Sequence, residues 1–251
     1  MSAKPLGYDG ERLVPGDQRL RNLLVEDLAK FHFACRYATN KLVLDAGCGA
    51  GQGTAQLARS GARYAVGIDI SSEAVAFARS HYVEPNLAFG RMNAACLGFG
   101  DHIFDLVTSI EVIEHLHEPE RYVAGIRRVL KNDGMLVLST PNKRMSSPTP
   151  GSSWPHHVHE FYPEELKALL VRYFSEVEMW GMWIPVYDQH PLRRLVHWLA
   201  PVFKPILPLR LRTRFLPMIQ SRIKSDLTLA DISISREQIA KKSTLVAVCR
   251  V

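Results

Sequence analysis

The sequence predicts an α/β fold, a mostly parallel sheet covered by helices on both faces. Two observations carry the prediction. Short apolar runs alternate with amphipathic stretches along most of the chain, the pattern of strands joined by crossover helices. The first apolar run also ends in an acid followed by a glycine-dense turn, LDAGCGAGQG over 44–53, and ligands of open α/β sheets sit beyond the carboxyl ends of strands.

Taken in order, residues 18–39 carry apolar positions at helical spacing and predict a helix over the sheet. KLVLDAG (41–47) reads as a buried strand and GTAQLARSGA (53–62) as a short helix closed at Gly61. RYAVGIDI (63–70) is the second strand, and Ser71 and Ser72 are placed to cap a helix over EAVAFARSHY. NLAFGRM (86–92), FDLVTSI (104–110) and GMLVLST (134–140) are three further strands. The last two are separated by a helix within EPERYVAGIRRVLKNDG, with Pro119 near its start and Gly134 past its end. PEELKALLVRYF (163–174) is a helix with proline at its start, and EVEMWGMW (176–183) and TLVAVCRV (244–251) are late strands.

The opening YDGERLVPGD (8–17) is loop-like, and 141–160, with four prolines and several serines, is a long loop, a length that in compact domains usually serves a function. Five prolines break residues 186–243 into short helices. The expected organisation is an N-terminal cap segment (1–40), a core (41–185 and 244–251) and a helical insert (186–243).

A chain of 251 residues, 47% hydrophobic and 22% charged, buries a full core and does not suit disorder. No run of about 18 apolar residues predicts a membrane span, and no opening stretch has the layout of a secretion signal. The four cysteines, Cys35, Cys48, Cys96 and Cys249, lie far apart, which fits a reduced cytoplasm better than a disulfide framework or zinc site. The net charge of +6 is localised: residues 186–224 hold eight Lys and Arg against one acid, Asp188.

Three ligands compete for the glycine turn. A phosphate loop needs GxxxxGK[ST], and no lysine is present. A dinucleotide fingerprint needs GxGxxG, and Gln52 or Thr54 falls where its third glycine belongs. What remains is GxGxG after an acid, with Asp69 ending the second strand, where a carboxylate can accept both hydroxyls of a ribose.

VLDAGCGAG, GIDIS, FDLVTSIEVIEHL and RVLKNDGMLVLSTPN occur in that order over about 41–142. Together they resemble the successive motifs of class I S-adenosylmethionine-dependent methyltransferases. The resemblance implies a Rossmann-like, seven-stranded, mostly parallel sheet whose last strand is antiparallel; the proline-broken helical insert precedes that strand. It implies that Asp45, Gly47, Gly49 and Gly51 cradle the methionine part of S-adenosylmethionine, that Asp69 binds the ribose, and that Ile70 packs on the adenine. Asn93 and Ala94 would read the adenine edge, where relatives more often carry Asp in place of Asn93. Ser109, Ile110 and Glu111 would stand beside the reactive sulfonium.

GERLVPG (10–16), STPN (139–142) and PHHVHEFYPEEL (155–166) further resemble a bacterial subgroup that methylates hydroxyls of sugars and glycans. Within these motifs Glu11 and Arg12 could close over the substrate or form a surface ion pair, and Glu160 could hold a sugar hydroxyl or orient a histidine. A sugar hydroxyl is a weak nucleophile while protonated, so a general base helps by about 10²–10⁴. His157, which matches the subgroup's histidine, is the first candidate, with His159 and His115 behind it. Two histidines two apart can face one side of an extended segment, so His157 and His159 with Glu111 or Glu160 could meet an ion, but no ligand spacing supports one and no metal is assigned.

The basic segment reads as a lid on an anionic membrane surface, a substrate cap, or a homodimer interface; a nucleic-acid partner is not expected. The sequence as a whole predicts a cytoplasmic O-methyltransferase, peripheral at the inner membrane face if the lid reading holds. Its acceptor would be a hydroxyl of a sugar, glycan or lipid-linked glycolipid precursor. The alternatives are a quinone-type phenol as acceptor and a non-catalytic, cofactor-binding partner subunit.

Overall fold

The computed structural model describes residues 16–17, 20–146, 156–185 and 227–251. In chain order the elements are α1 (Arg21–Cys35), β1 (Leu42–Ala46), α2 (Gln52–Arg59), β2 (Tyr64–Asp69), α3 (Ser72–His81), β3 (Leu87–Arg91), β4 (Phe104–Ile110), α4 (Pro119–Val129), β5 (Leu130–Pro141), α5 (Lys143–Ser146), α6 (Pro163–Leu170), β6 (Glu176–Trp183), β7 (Ser233–Ser235) and β8 (Thr244–Arg250). They build one sheet of order β3-β2-β1-β4-β5-β8-β6-β7. Strands β1 to β5 are parallel, and β8 lies antiparallel between β5 and β6. Strand order reverses between β1 and β4, and the crevice at such a switch point is the expected ligand site of a doubly wound sheet.

Alternate residues of each strand enter opposite layers of the core. Leu44, Leu136 and Leu138 pack with Tyr122, Val123 and Ile126 of α4 and Leu166 and Leu170 of α6. Val43, Leu106 and Val137 pack on the other face with Phe31, Phe33 and Ala34 of α1 and Leu57 of α2. Each such buried valine, leucine, isoleucine or phenylalanine stabilises the fold by about 1.5–3 kcal/mol. Helix α1 lies tight on α2: a Cβ built on Gly53 would stand 2.2 Å from the Phe31 ring. The Ser71 hydroxyl accepts the Ala74 N–H at 3.2 Å, the expected cap of α3.

Three expectations are corrected. The sheet has eight described strands, not seven, because Ser233–Ser235 adds to the edge of β6; the end of the sequence assigned to the insert therefore belongs to the sheet. Strand β5 begins at Leu130, directly after α4 and before the predicted start at Gly134, and its register against β4 shifts between Phe104 and Leu106, so Lys131–Gly134 is an irregularity within the strand. Helix α6 ends at Leu170, short of the predicted 174. The opening loop with Glu11 and Arg12, and the basic segment 186–224, lie outside the described residues. No described helix is long and apolar enough to cross a membrane.

Candidate active site

The turn after β1 is stitched to the end of β2. Gly47 and Cys48 both donate backbone N–H groups to the Ile68 carbonyl, at 2.9 and 2.8 Å. The next amide, Gly49, donates to Asp69 Oδ2 at 2.9 Å, and Asp69 Oδ1 accepts the Ser71 amide at 2.9 Å. Gly47 has φ +88°, and a Cβ there would stand 2.5 Å from Val112 Cγ2. Only glycine meets both demands. Gly49 has φ +52° and nothing within 4 Å of a built Cβ, so its bare face looks into the crevice. Gly51 precedes α2 with its Cα against Ala78 and Phe89.

Asp45 sits beneath this turn at 1% exposure. It accepts the hydroxyls of Thr54 at 2.6 Å and Thr108 at 2.8 Å. Burial outweighs these bonds and pushes its carboxyl up to about 7. Beyond Asp69, Ile70 is 62% exposed, a bare apolar surface where an adenine is expected. Asn93 Oδ1 accepts the Ala95 amide at 2.9 Å, and Ala94 is half-buried beside it. A carboxylate fixed by two amides, an open glycine face and an exposed isoleucine fit the ribose, amino-acid and adenine parts of S-adenosylmethionine.

The second half of the site stands at the tip of β4, over Gly47. Glu111 has φ +53°, a strained value for a non-glycine residue. It is held there by its amide on the Ser139 carbonyl (3.1 Å), by the Ser139 hydroxyl (2.8 Å) and by Lys30 Nζ (3.2 Å). Lys30 comes from α1 and is 5% exposed. Burial disfavours its charge, but Glu111 and Asp27 reverse this and raise its pKa. Burial likewise raises Asp27, to about 6, against the pull of Lys30.

Glu114 is fully buried. Its Oε2 accepts the Thr140 hydroxyl at 2.9 Å, whereas Oε1 has no hydrogen-bond partner. Burial, with Glu111 adding to it, holds this carboxyl well above the usual range. The Glu114 carbonyl accepts the amides of Val158 and His159, at 2.8 and 3.0 Å. These bonds bring the distant 156–161 segment onto the β4 tip. His115 Nδ1 bonds the His156 carbonyl at 3.1 Å. His157 Nδ1 bonds Glu160 Oε1 at 2.7 Å, and the two imidazole rings stand 5.1 Å apart, edge to face. Glu160, 4% exposed, also accepts the Ser146 hydroxyl at 3.2 Å. One ligand-capable atom each from Glu114, His115 and His157 fall within 4.8 Å of one another.

The structure therefore gathers His157, His115 and Glu160 and leaves His159 outside. His159 bonds Glu165 at 2.7 Å, stacks edgewise on Phe161, and lines a neighbouring surface cavity of about 510 Å³ with His117 and Arg172. The Ser109 hydroxyl turns into the core, 2.8 Å from the Tyr122 hydroxyl. Sequence reasoning missed Lys30, Asp27 and Glu114. A lysine amid Ala29, Phe31, Phe33 and Ala34 was a usable signal for the first, and an acid three residues beyond Glu111 in an apolar run for the last.

Residues 44–138 match the family described as "Methyltransferase domain". The chain is 34% identical over 180 residues to a "Probable S-adenosylmethionine-dependent methyltransferase" of Mycolicibacterium smegmatis, covering 70% of this chain and 67% of that protein. It is 39% identical over 148 residues to a protein of the same description from Mycobacterium tuberculosis H37Rv, covering 57% and 52%. It is also 36% identical over 113 residues to a "Ubiquinone biosynthesis O-methyltransferase" of Neisseria meningitidis, covering 43% and 47%. The chain thus spans about half the length of these last two relatives. Among solved structures, a SAM-dependent methyltransferase from Thermotoga maritima superposes with a TM-score of 0.64 at 14% identity, over 93% of both chains.

Proposed function

The chain belongs to the S-adenosylmethionine-dependent methyltransferase family, and from that premise we propose that it is an O-methyltransferase, transferring the methyl group to a hydroxyl oxygen. When bound, S-adenosylmethionine supplies a methyl carbon on a sulfonium, so no protein nucleophile is required. Asp69 and the Gly47–Gly51 turn would bind and orient the donor, and Ile70 would exclude water from its apolar face. The observation that carries the oxygen acceptor is the cluster of Glu114, His115 and His157, backed by Glu160. A neutral amine is nucleophilic enough to attack first and lose its proton afterwards, but an alcohol must lose its proton as the new bond forms, and groups placed to handle that proton are worth about 10²–10⁴.

For the acceptor, a hydroxyl of a sugar, glycan or lipid-linked glycolipid precursor is the first reading. It is supported by the STPN and His157–Phe161 motifs, which lie together: Asn142 bridges Phe161, and its side-chain amide donates to the Lys242 carbonyl at 2.8 Å. The second reading, a quinone-type phenol, is favoured by the likeness to the Neisseria meningitidis protein. Phenols ionise several pH units more readily than sugar hydroxyls and need less help with the proton.

The test is transfer of labelled methyl from S-adenosylmethionine to a panel of saccharides, lipid-linked sugars and catechol-type phenols. A methyl ether product is expected. Methylation of amine or carbon acceptors only, or cofactor binding without any turnover, refutes the proposal; the last result favours a non-catalytic partner subunit. His157→Ala should cost a sugar methylase about 10²-fold or more and a phenol methylase little. Contact of 186–224 with a membrane is a separate proposal, resting on its charge; vesicle co-sedimentation unchanged on neutralising Arg210, Arg212 and Arg214 overturns it.

A further inference from the structure

We infer that Glu114, His115 and His157 form a binding site for a divalent first-row metal ion. Three observations converge on it. One is proximity: a carboxylate oxygen of Glu114 and a ring nitrogen of each histidine lie within 4.8 Å of one another. Donors at about 2.0–2.2 Å from a common ion stand no more than about 4.4 Å apart, so a small rotation of the rings closes the set.

The second is how the rings are held. A carbonyl oxygen can only accept, so His115 Nδ1, 3.1 Å from the His156 carbonyl, is the protonated nitrogen of that ring. The carboxylate of Glu160, 2.7 Å from His157 Nδ1, selects the same tautomer in the second ring. In this tautomer the metal-ligating lone pair of each ring is the one on Nε2. A carbonyl or carboxylate on the far nitrogen is the arrangement that orients metal-bound imidazoles and raises their basicity. Glu160 is in turn fixed by Ser146.

The third is Glu114 itself. Its side chain is fully buried with Oε2 on Thr140 and Oε1 unpartnered. A buried acceptor without a donor costs about 1–3 kcal/mol, and a cation at the cluster removes that cost. The neighbouring acid Glu111 is engaged by Lys30 and Ser139, so the set is two imidazoles and one carboxylate. That donor mix suits Zn²⁺, Co²⁺, Mn²⁺ or Fe²⁺ over Mg²⁺ or Ca²⁺, which prefer oxygen alone. The set is preassembled, because the Glu114 carbonyl pins the His157 segment through two amides. Three protein ligands leave positions open, and a hydroxyl oxygen entering one is acidified. This use rests on the proposed hydroxyl acceptor; the ion site does not.

The test titrates metal-stripped full-length protein with Co²⁺, with neither methyl donor nor acceptor present. One ion per chain is expected, with visible absorption that Zn²⁺ abolishes and Mg²⁺ leaves unchanged. Glu114→Gln, His115→Ala and His157→Ala should each weaken binding at least tenfold, and His81→Ala, exposed at the end of α3, should not. Should Glu114→Gln fail to fold, the two histidine variants decide the matter. Absence of stoichiometric binding, or binding that survives both histidine changes, overturns the site. Methyl transfer is then compared with and without a chelator. Transfer that needs the ion upholds its use, and transfer indifferent to the chelator overturns that use while the titration still upholds the site. Asp69→Asn should abolish transfer and leave the Co²⁺ spectrum intact, which separates failure of the methyltransferase reading from failure of the metal reading.

Discussion

Asp45 makes the sharpest prediction, because its carboxyl is fully enclosed and its titration is displaced far from that of an unfolded chain. In the native protein it titrates near 7, and its ordinary value is 3.8. The native state therefore holds this proton more tightly than the unfolded state. The group's contribution to stability is fully present below about pH 4 and is lost as pH rises to about 7, beyond which it is flat. At about 1.4 kcal/mol per pH unit between the two values, the whole effect is roughly 4 kcal/mol, and about 3 kcal/mol of it falls between pH 5 and pH 8. At 1% exposure no discount for solvent screening applies. Asp45→Asn keeps the shape and an oxygen for one of the Thr54 and Thr108 hydroxyls, turns its amide NH2 toward the other, and cannot ionise. Buried Asp27 and Glu114 shift in the same direction and are common to both proteins. Urea unfolding of wild type and variant, without added cofactor, should then show wild type losing about 3 kcal/mol more than the variant from pH 5 to pH 8. Parallel pH dependences, or a wild type that gains on the variant as pH rises, would refute the reasoning.

Gly47→Ala places a methyl 2.5 Å from Val112 at φ +88° and should cost about 2–4 kcal/mol, read as a lowered unfolding midpoint. Gly49→Ala, with open space at its Cβ, should cost only about 1 kcal/mol yet weaken S-adenosylmethionine binding at least tenfold by calorimetry; unchanged affinity would show that this face does not meet the donor. Lys30→Met strands Glu111 beside Asp27 and should cost about 3 kcal/mol at pH 8. The loss should be smaller at pH 5, below the value near 6 where Asp27 takes up a proton, and Glu111→Gln added to it should recover part of the stability.

The alternation of strands and helices was readable because the central parallel strands β1 and β4 are buried on both faces and the helices on one, so periodicity follows layer. Ser233–Ser235 was missed because it is short: Ile232 and Ile234 alternate with the serines, but three half-buried residues on a sheet edge are too brief a run to stand out from the proline-broken stretch before them. Lys131–Gly134 misled for a related reason. Its residues have turn chemistry, but the flanking Leu130 is paired with Phe104 and so already belongs to the strand. Local signals name a conformation, whereas pairing decides where a strand begins.

The same division runs through the site. The donor half is assembled within 45–71, where each amide meets a partner set by the two strands on either side, so a glycine pattern and one acid disclosed it. The acceptor half draws Lys30 from α1, Glu111 and Glu114 from the β4 tip, Ser139 and Thr140 from β5, and His157 and Glu160 from a segment more than 40 residues on. Within a segment the spacings are short, three residues from Glu111 to Glu114 and from His157 to Glu160, but the four segments stand at no fixed spacing from one another, so only the fold brings them together. It follows that the acceptor half can change its side chains without disturbing the turn that holds the donor. One side chain joins the halves: Val112 packs on Gly47 and lies between Glu111 and the Glu114 cluster. Small changes at Val112 should therefore affect donor binding and acceptor turnover together, whereas changes at His157 or Asp69 should separate them.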